Sequence, residues 1–220
     1  MVKDRSSGTI APLTPMVALP DTPYLSPEEY LAAEAESPVK HEYRDGKVYA
    51  MAGGTDAHNQ IAGNLYALLR GHLRGGPCRT YIADVKARIE SLNRFYYPDV
   101  MVTCDDHDRN NNTFKCHPCL VVEVLSESTE AFDRGDKFSD YRHLDSLQEY
   151  VLISQMRPQV EVFRRNVEGL WVLHPYGEGD TVKLASVGWS GAIAELYEAV
   201  EFPTASAEAE DGAANPKVVG

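Results

Sequence analysis

Two carboxylates of this 220-residue chain stand inside apolar runs of strand length. Asp99 lies in Tyr96-Tyr97-Pro98-Asp99-Val100-Met101-Val102, and Glu123 in Leu120-Val121-Val122-Glu123-Val124-Leu125. Strand alternation sets Asp99 with Tyr97 and Met101 on one face, Val100 and Val102 on the other. A carboxylate in such a run is costly, because desolvation penalises the ionised form unless hydrogen bonds, a cation or a metal compensate. Two of them on neighbouring strands therefore suggest a divalent-cation site built from oxygen ligands. A third candidate is Lys137, spaced i, i+4 and i+7 with Tyr141 and Leu144 on an apolar helical stripe. Aimed back over the sheet, its amine would position or help deprotonate an attacking water and neutralise charge in the transition state. Taken singly, each residue also fits an ordinary structural role. Asp99 after a proline suits a strand entry, Glu123 suits an ion pair, and Lys137 suits an exposed pair with Asp133 worth about 0.2–0.5 kcal/mol. Together they supply what hydrolytic phosphoryl transfer needs.

Further polar residues add to this set. His58 falls in the first turn of an expected helix, where backbone donors favour anions, and suits contact with a phosphate or the attacking water as well as it suits capping. Glu42, beside Asp45-Gly46, is either a further acidic ligand or base, or a surface strand residue. Cys104-x-x-His107 and Cys116-x-x-Cys119 offer four possible zinc ligands, although the interval between the pairs is short for a zinc ribbon.

The elements that must carry these residues are marked by local signals. Ser26-Pro27-Glu28-Glu29 supplies a capping hydroxyl, a proline at the first helical position and a capping-box glutamate, which predicts a helix to about Glu36. Asp45-Gly46, flanked by strand-like runs from His41 to Met51, predicts a tight hairpin. After Gly53-Gly54, Thr55 caps a predicted helix with His58, Ile61, Leu65, Leu68 and His72 inward. Strands are expected at Thr80 to Ile89, Phe95 to Cys104 and Leu120 to Leu125, then a helix from Ser126 to Leu144. Further strands follow at Tyr150 to Ser154, Gln159 to Arg164, Leu170 to His174 and Thr181 to Ala185. This order predicts a mixed α/β or α+β fold.

Length and composition suit one folded unit, with 43% hydrophobic and 25% charged residues. It is expected to span about 24–202, between an extended proline-containing arm (1–23) and a disordered tail (203–220). No run approaches about 18 uninterrupted apolar residues, and no secretory signal is apparent, so a cytoplasmic protein without a membrane partner is expected. Four cysteines, Cys78, Cys104, Cys116 and Cys119, fit a reduced compartment better than a disulfide framework. The net charge of −12 argues against a nucleic-acid partner, since such affinity depends on Lys and Arg neutralising phosphates. The objection weakens if the acids cluster at a metal site, where a cation reverses the local sign.

In chain order, Leu25-Ser26-Pro27-Glu28-Glu29-Tyr30, His41-Glu42-Tyr43-Arg44-Asp45-Gly46, His58-Asn59, Tyr97-Pro98-Asp99-Val100, Val121-Val122-Glu123-Val124-Leu125-Ser126 and Asp133-Arg134-Gly135-Asp136-Lys137 form a distinctive set. With them the chain resembles the Uma-two family of the PD-(D/E)XK nuclease superfamily, over roughly residues 25–200. The resemblance implies a restriction-endonuclease-like core, a central mixed sheet flanked by helices, with Asp99 and Glu123 binding Mg2+ or Mn2+ for hydrolysis of a DNA phosphodiester. The superfamily pattern has a lysine two residues after the glutamate, where this chain has Leu125. Lys137 looks like its migrated replacement, and Glu42 and His58 match further polar positions of the family. Two other functions compete with the endonuclease: a catalytically silent, homodimeric binding or scaffold module, and a hydrolase of smaller phosphorylated or nucleotide substrates.

Overall fold

The computed structural model describes residues 24–51 and 53–202, so the expected arm and tail lie outside the described residues. Helix α1 (Pro27–Glu36) starts as its sequence dictates. Ser26 Oγ accepts from Glu29 N at 3.2 Å while Glu29 Oε2 accepts from Ser26 N at 2.8 Å. The hairpin β1 (His41–Arg44) and β2 (Lys47–Ala50) turns through Asp45 at φ 44° and Gly46 at φ 88°, the positive values that this dipeptide tolerates. Helix α2 (Asp56–His72) is capped by Thr55, whose hydroxyl accepts from His58 N at 3.2 Å. Its inward line is Ile61, Ala62, Leu65 and Leu69, while Leu68 is half-buried and His72 exposed. Leu68 packs at the edge of that core as expected, whereas His72 lies outside it.

Each of the next two predicted strands is in fact two. The first run breaks into β3 (Arg79–Ile82) and β4 (Lys86–Ile89) at Ala83, whose φ is 55°. The second breaks into β5 (Arg94–Tyr96) and β6 (Val100–Thr103) at Tyr97-Pro98-Asp99. Proline lacks an N–H for a ladder, so Pro98 favours the break. A short β7 (Phe114–Lys115) precedes the fully buried β8 (Pro118–Leu125). The predicted helix after Glu123 is segmented: α3 (Glu130–Phe132), a π turn at Asp133–Lys137, and α4 (Phe138–Tyr141). Strands β9 (Glu149–Ser154), β10 (Gln159–Arg165), β11 (Trp171–Gly177) and β12 (Thr181–Leu184) follow as expected. Strand β13 (Trp189–Ala192) and the short α5 (Ile193–Leu196) complete the described chain, neither being signalled in the sequence.

The strands form a six-stranded sheet, β11-β10-β9-β8-β6-β3, a five-stranded sheet, β2-β1-β5-β4-β7, and the pair β12-β13. In the larger sheet β8 and β9 are parallel and the other pairs antiparallel. One face of it, with Val100, Val102, Leu120, Val122 and Val124, buries against Ile61, Leu65 and Leu69 of α2. Each such aliphatic side chain contributes about 1.5–3 kcal/mol of burial. The other face, with Met101, Val121 and Leu125, packs on Tyr141 and Leu144. The mixed α/β fold expected from the sequence is therefore present. The chain passes between the sheets several times, at residues 83–85 and 97–99 among others, and the chemistry collects at 97–99.

Cys78 and Cys104 form a disulfide, against the expectation that the cysteines fit a reduced compartment better than a disulfide framework. It also removes the zinc-knuckle candidate, because Cys104 no longer has a thiolate to donate. Cys119 is buried in β8 with its Sγ 3.7 Å from that of Cys104, and His107 Nδ1 lies against Asp105 Oδ1 at 2.7 Å. No helix among the described residues is long and apolar enough to cross a membrane.

Candidate active site

Strand alternation explains how a charged group enters this core. Glu123 shares the β8 face of Val121 and Leu125, so it points toward the helical segment and away from α2. Strand β6 pairs with β8 as Val100 with Val122 and Met101 with Val121, and continuing that register by one residue sets Asp99 opposite Glu123. Asp99 is tied down there, its Oδ2 accepting from Val124 N at 2.7 Å. His58, in the first turn of α2, brings Nε2 to 3.2 Å from the same Asp99 oxygen.

The helical segment supplies the cation. Its π turn holds Asp133 and Lys137 on the inward side above Tyr141, and all three are buried. Such turns widen the helix by a residue per turn and recur at functional sites. The Lys137 amine lies 3.0 Å from Glu123 Oε1, 3.1 Å from Glu42 Oε1 and 3.5 Å from Asp133 Oδ1. The exposed Asp133–Lys137 pair that the spacing allowed is instead a buried one. Glu42 comes from β1 in the other sheet, and its Oε1 also accepts from Tyr97 N at 3.4 Å, across the crossing. The Tyr141 hydroxyl donates to Glu123 Oε1 at 3.4 Å.

One amine thus faces three carboxylates, all but removed from water. Burial disfavours charge on Lys137, but Glu123, Glu42 and Asp133 outweigh it and hold the amine well above its ordinary range. Lys137 thus stands as a hydrogen-bond donor to these carboxylates. Burial pushes Glu123 well above the usual carboxylate range; Lys137 opposes this, while Asp133, Asp99 and Glu42 add to it. Glu42 and Asp133 are raised by the same burial, again against Lys137. Protonation of one of the acids or a second cation would each relieve the crowding of negative charge.

The donor set fits a hard divalent ion. The hydrogen bonds recorded to Glu123 run to Oε1 and those to Asp99 run to Oδ2, which leaves the second oxygen of each for another ligand. Among the described residues no group of three or more His, Cys, Asp or Glu side chains is arranged to hold a metal. Mg2+ suits such a sparse set, since it keeps several waters and takes one or two carboxylates together with substrate phosphates. Of the residues singled out in the sequence, the structure brings Glu42, Glu123 and Lys137 into contact and pairs Asp99 with His58. Asp133 and Tyr141 were missed as members of the cluster. Their signal was present in the i, i+4, i+8 spacing of Asp133, Lys137 and Tyr141 on one helical stripe.

Burial opposes charge on His58, but its bond to Asp99 and the charges of Asp99 and Asp133 prevail and raise its pKa. In metal-free protein its ring should titrate above the ordinary value of about 6.5. The pair thus stabilises the fold fully below that value and fades as pH rises through the raised one. Asp99→Asn should bring the titration down, since burial then acts with less opposition. An NMR titration of the ring protons reads this directly, and an unchanged midpoint in the variant means that the pair does not form in solution.

Three comparisons place the chain among known proteins. A solved structure of "a putative nuclease belonging to DUF820" from Anabaena variabilis is similar with a TM-score of 0.65 at 16% identity, covering 79% of this chain and 98% of that one. The likeness is one of fold. Uncharacterized protein slr1290 of Synechocystis sp. is 44% identical over 180 residues, covering 82% of this chain and 95% of that protein. Uncharacterized protein sll1609 of the same organism is 32% identical over 160 residues, covering 72% and 90%. The model of the Uma2 family, described as "Putative restriction endonuclease", matches residues 27–194, which contain every residue of the site. With that match across most of its length, this chain belongs to the Uma2 family.

Proposed function

We propose that the protein is a Mg2+- or Mn2+-dependent endonuclease that hydrolyses phosphodiester bonds of DNA. The observation that carries this reading is the Lys137 amine, 3.0 Å from Glu123 and 3.1 Å from Glu42, with Asp99 one residue before the Val100–Val122 pair of β6 and β8. The family description and the name of the Anabaena variabilis neighbour support it. Asp99 and Glu123 would hold the cation, which when bound supplies Lewis-acid stabilisation of the charge that builds on the reacting phosphate. The charge of Lys137 offsets that of the phosphate oxygens, and turning one N–H from its carboxylate partners to the attacking water would orient that water. Glu42 holds the amine at its height above the sheet. His58 steadies Asp99 through Oδ2, so that Oδ1 keeps its direction. Burial of the cluster strengthens each of these interactions relative to bulk water.

The test uses full-length protein with supercoiled plasmid, oligonucleotides and mononucleotide esters, in Mg2+, Mn2+ or EDTA, beside calorimetric titration with Mn2+. Expected are nicks or breaks in DNA that EDTA abolishes, and a heat of Mn2+ binding that disappears in Asp99→Ala and Glu123→Ala. Absence of any such heat would make the protein the silent binding module. Turnover of mononucleotide esters alone would make it a hydrolase of smaller substrates.

A further inference from the structure

The net charge of −12 leaves open how this protein would hold a polyanion, and the face beside the buried cluster offers a route. Arg44 stands two residues after Glu42 in β1, hence on the same face of the strand and about 7 Å further along it. Its direct cross-strand neighbours are Lys47 in β2 and Arg94 in β5. Cations placed directly opposite one another repel, so such a row needs counter-charge. Arg94 has it, in contact with the buried Asp140. Arg44 does not. Its nearest acid is Asp136 at 3.8 Å, beyond hydrogen-bonding reach and 76% exposed, a partner worth little. The guanidinium makes no hydrogen bond among the described residues, yet its Cζ sits over the rings of Phe132 and Tyr49, 4.7 and 5.3 Å from their centroids. Phe132 immediately precedes the π turn that carries Asp133 and Lys137, so one helical segment sets both the cluster and this arginine.

A guanidinium oriented by aromatic faces, with its donors unspent and its side chain part-exposed, is suited to bidentate capture of a phosphate. We propose that Arg44 is a phosphate anchor for a nucleic-acid strand that crosses this face, with Lys47 and Arg94 supplying the surrounding field. The identity of the polyanion rests on the nuclease reading. Local charge rather than net charge governs such contacts, so the acidic total is no bar.

The test reads binding and not cleavage. In an Asp99→Ala background, affinity for a fluorescent duplex oligonucleotide is measured from 50 to 200 mM salt. Arg44→Ala is expected to weaken binding about tenfold and to reduce the slope of log K against log salt by about 0.9, the loss of one phosphate contact. Arg44→Lys should restore the slope and only part of the affinity, because it keeps the charge and loses the planar fork. Arg70→Ala, on the exposed side of α2, should change neither. Thermal melting checks folding, and Arg44→Gln replaces Arg44→Ala if the latter does not fold. Unchanged affinity and slope in the Arg44 variants, or no binding to the duplex at all, overturns the proposal. If the wild type never cleaves DNA yet the Arg44 effects appear, the nuclease reading fails and the phosphate site stands.

Discussion

Replacing Lys137 with methionine should destabilise the protein by roughly 3–5 kcal/mol near neutral pH, the usual cost of removing one partner from a buried charge pair. The amine is the shared neighbour of Glu42, Glu123 and Asp133, and the variant leaves all of them buried without it. Methionine fills a similar volume, so the effect is electrostatic and not a cavity. Its pH dependence follows from the carboxylates. Burial raises each of them above its unfolded value, so the folded state binds more protons than the unfolded state, and stability falls as pH rises through the raised values. Removing Lys137, which opposes those shifts, deepens that fall. Chemical denaturation at pH 7 and pH 5 measures it: the variant should recover much of the lost stability at the lower pH. A loss below about 1 kcal/mol with no pH dependence would mean that the amine does not sit among these acids.

Asp99→Asn should behave in the opposite way, costing activity and sparing the fold. The amide oxygen can still accept from Val124 N, so strand β6 keeps its tie to β8. What is lost is the charge facing the cation and the charged partner of His58. If Asp99 is a metal ligand, several kcal/mol of transition-state stabilisation go with it, a fall of about 10^3-fold or more in the cleavage step. Single-turnover cleavage at saturating Mn2+, beside a melting curve, separates the two effects. A variant that retains more than about a tenth of the rate would remove Asp99 from the site.

Each of these outcomes turns on contacts between residues far apart in the chain, and here the sequence and the folded structure divide the work. Local chemistry alone specified α1, the hairpin and α2, because a capping serine, a positive-φ dipeptide and a capping threonine act within a few residues. It also marked Asp99 and Glu123, since a carboxylate among aliphatic residues is conspicuous without any fold. The run that broke at Ala83 carried no such mark, and in the run that broke at Tyr97–Asp99 only Pro98 hinted at it. Whether a run continues or crosses to another sheet depends on partners elsewhere in the chain, and hydrophobicity is the same in both cases. The same limit explains Asp133 and Lys137. Spacing allowed an ion pair, but only packing on the sheet decided that the pair would be dry and shared with Glu42 and Glu123. Likewise the pairing of Cys78 with Cys104, separated by 26 residues, was set by the approach of β3 to β6. Residue types and short-range order thus determined the elements and the acids, whereas tertiary structure decided which charges meet, because electrostatic energy depends on distance and burial that no stretch of sequence contains by itself.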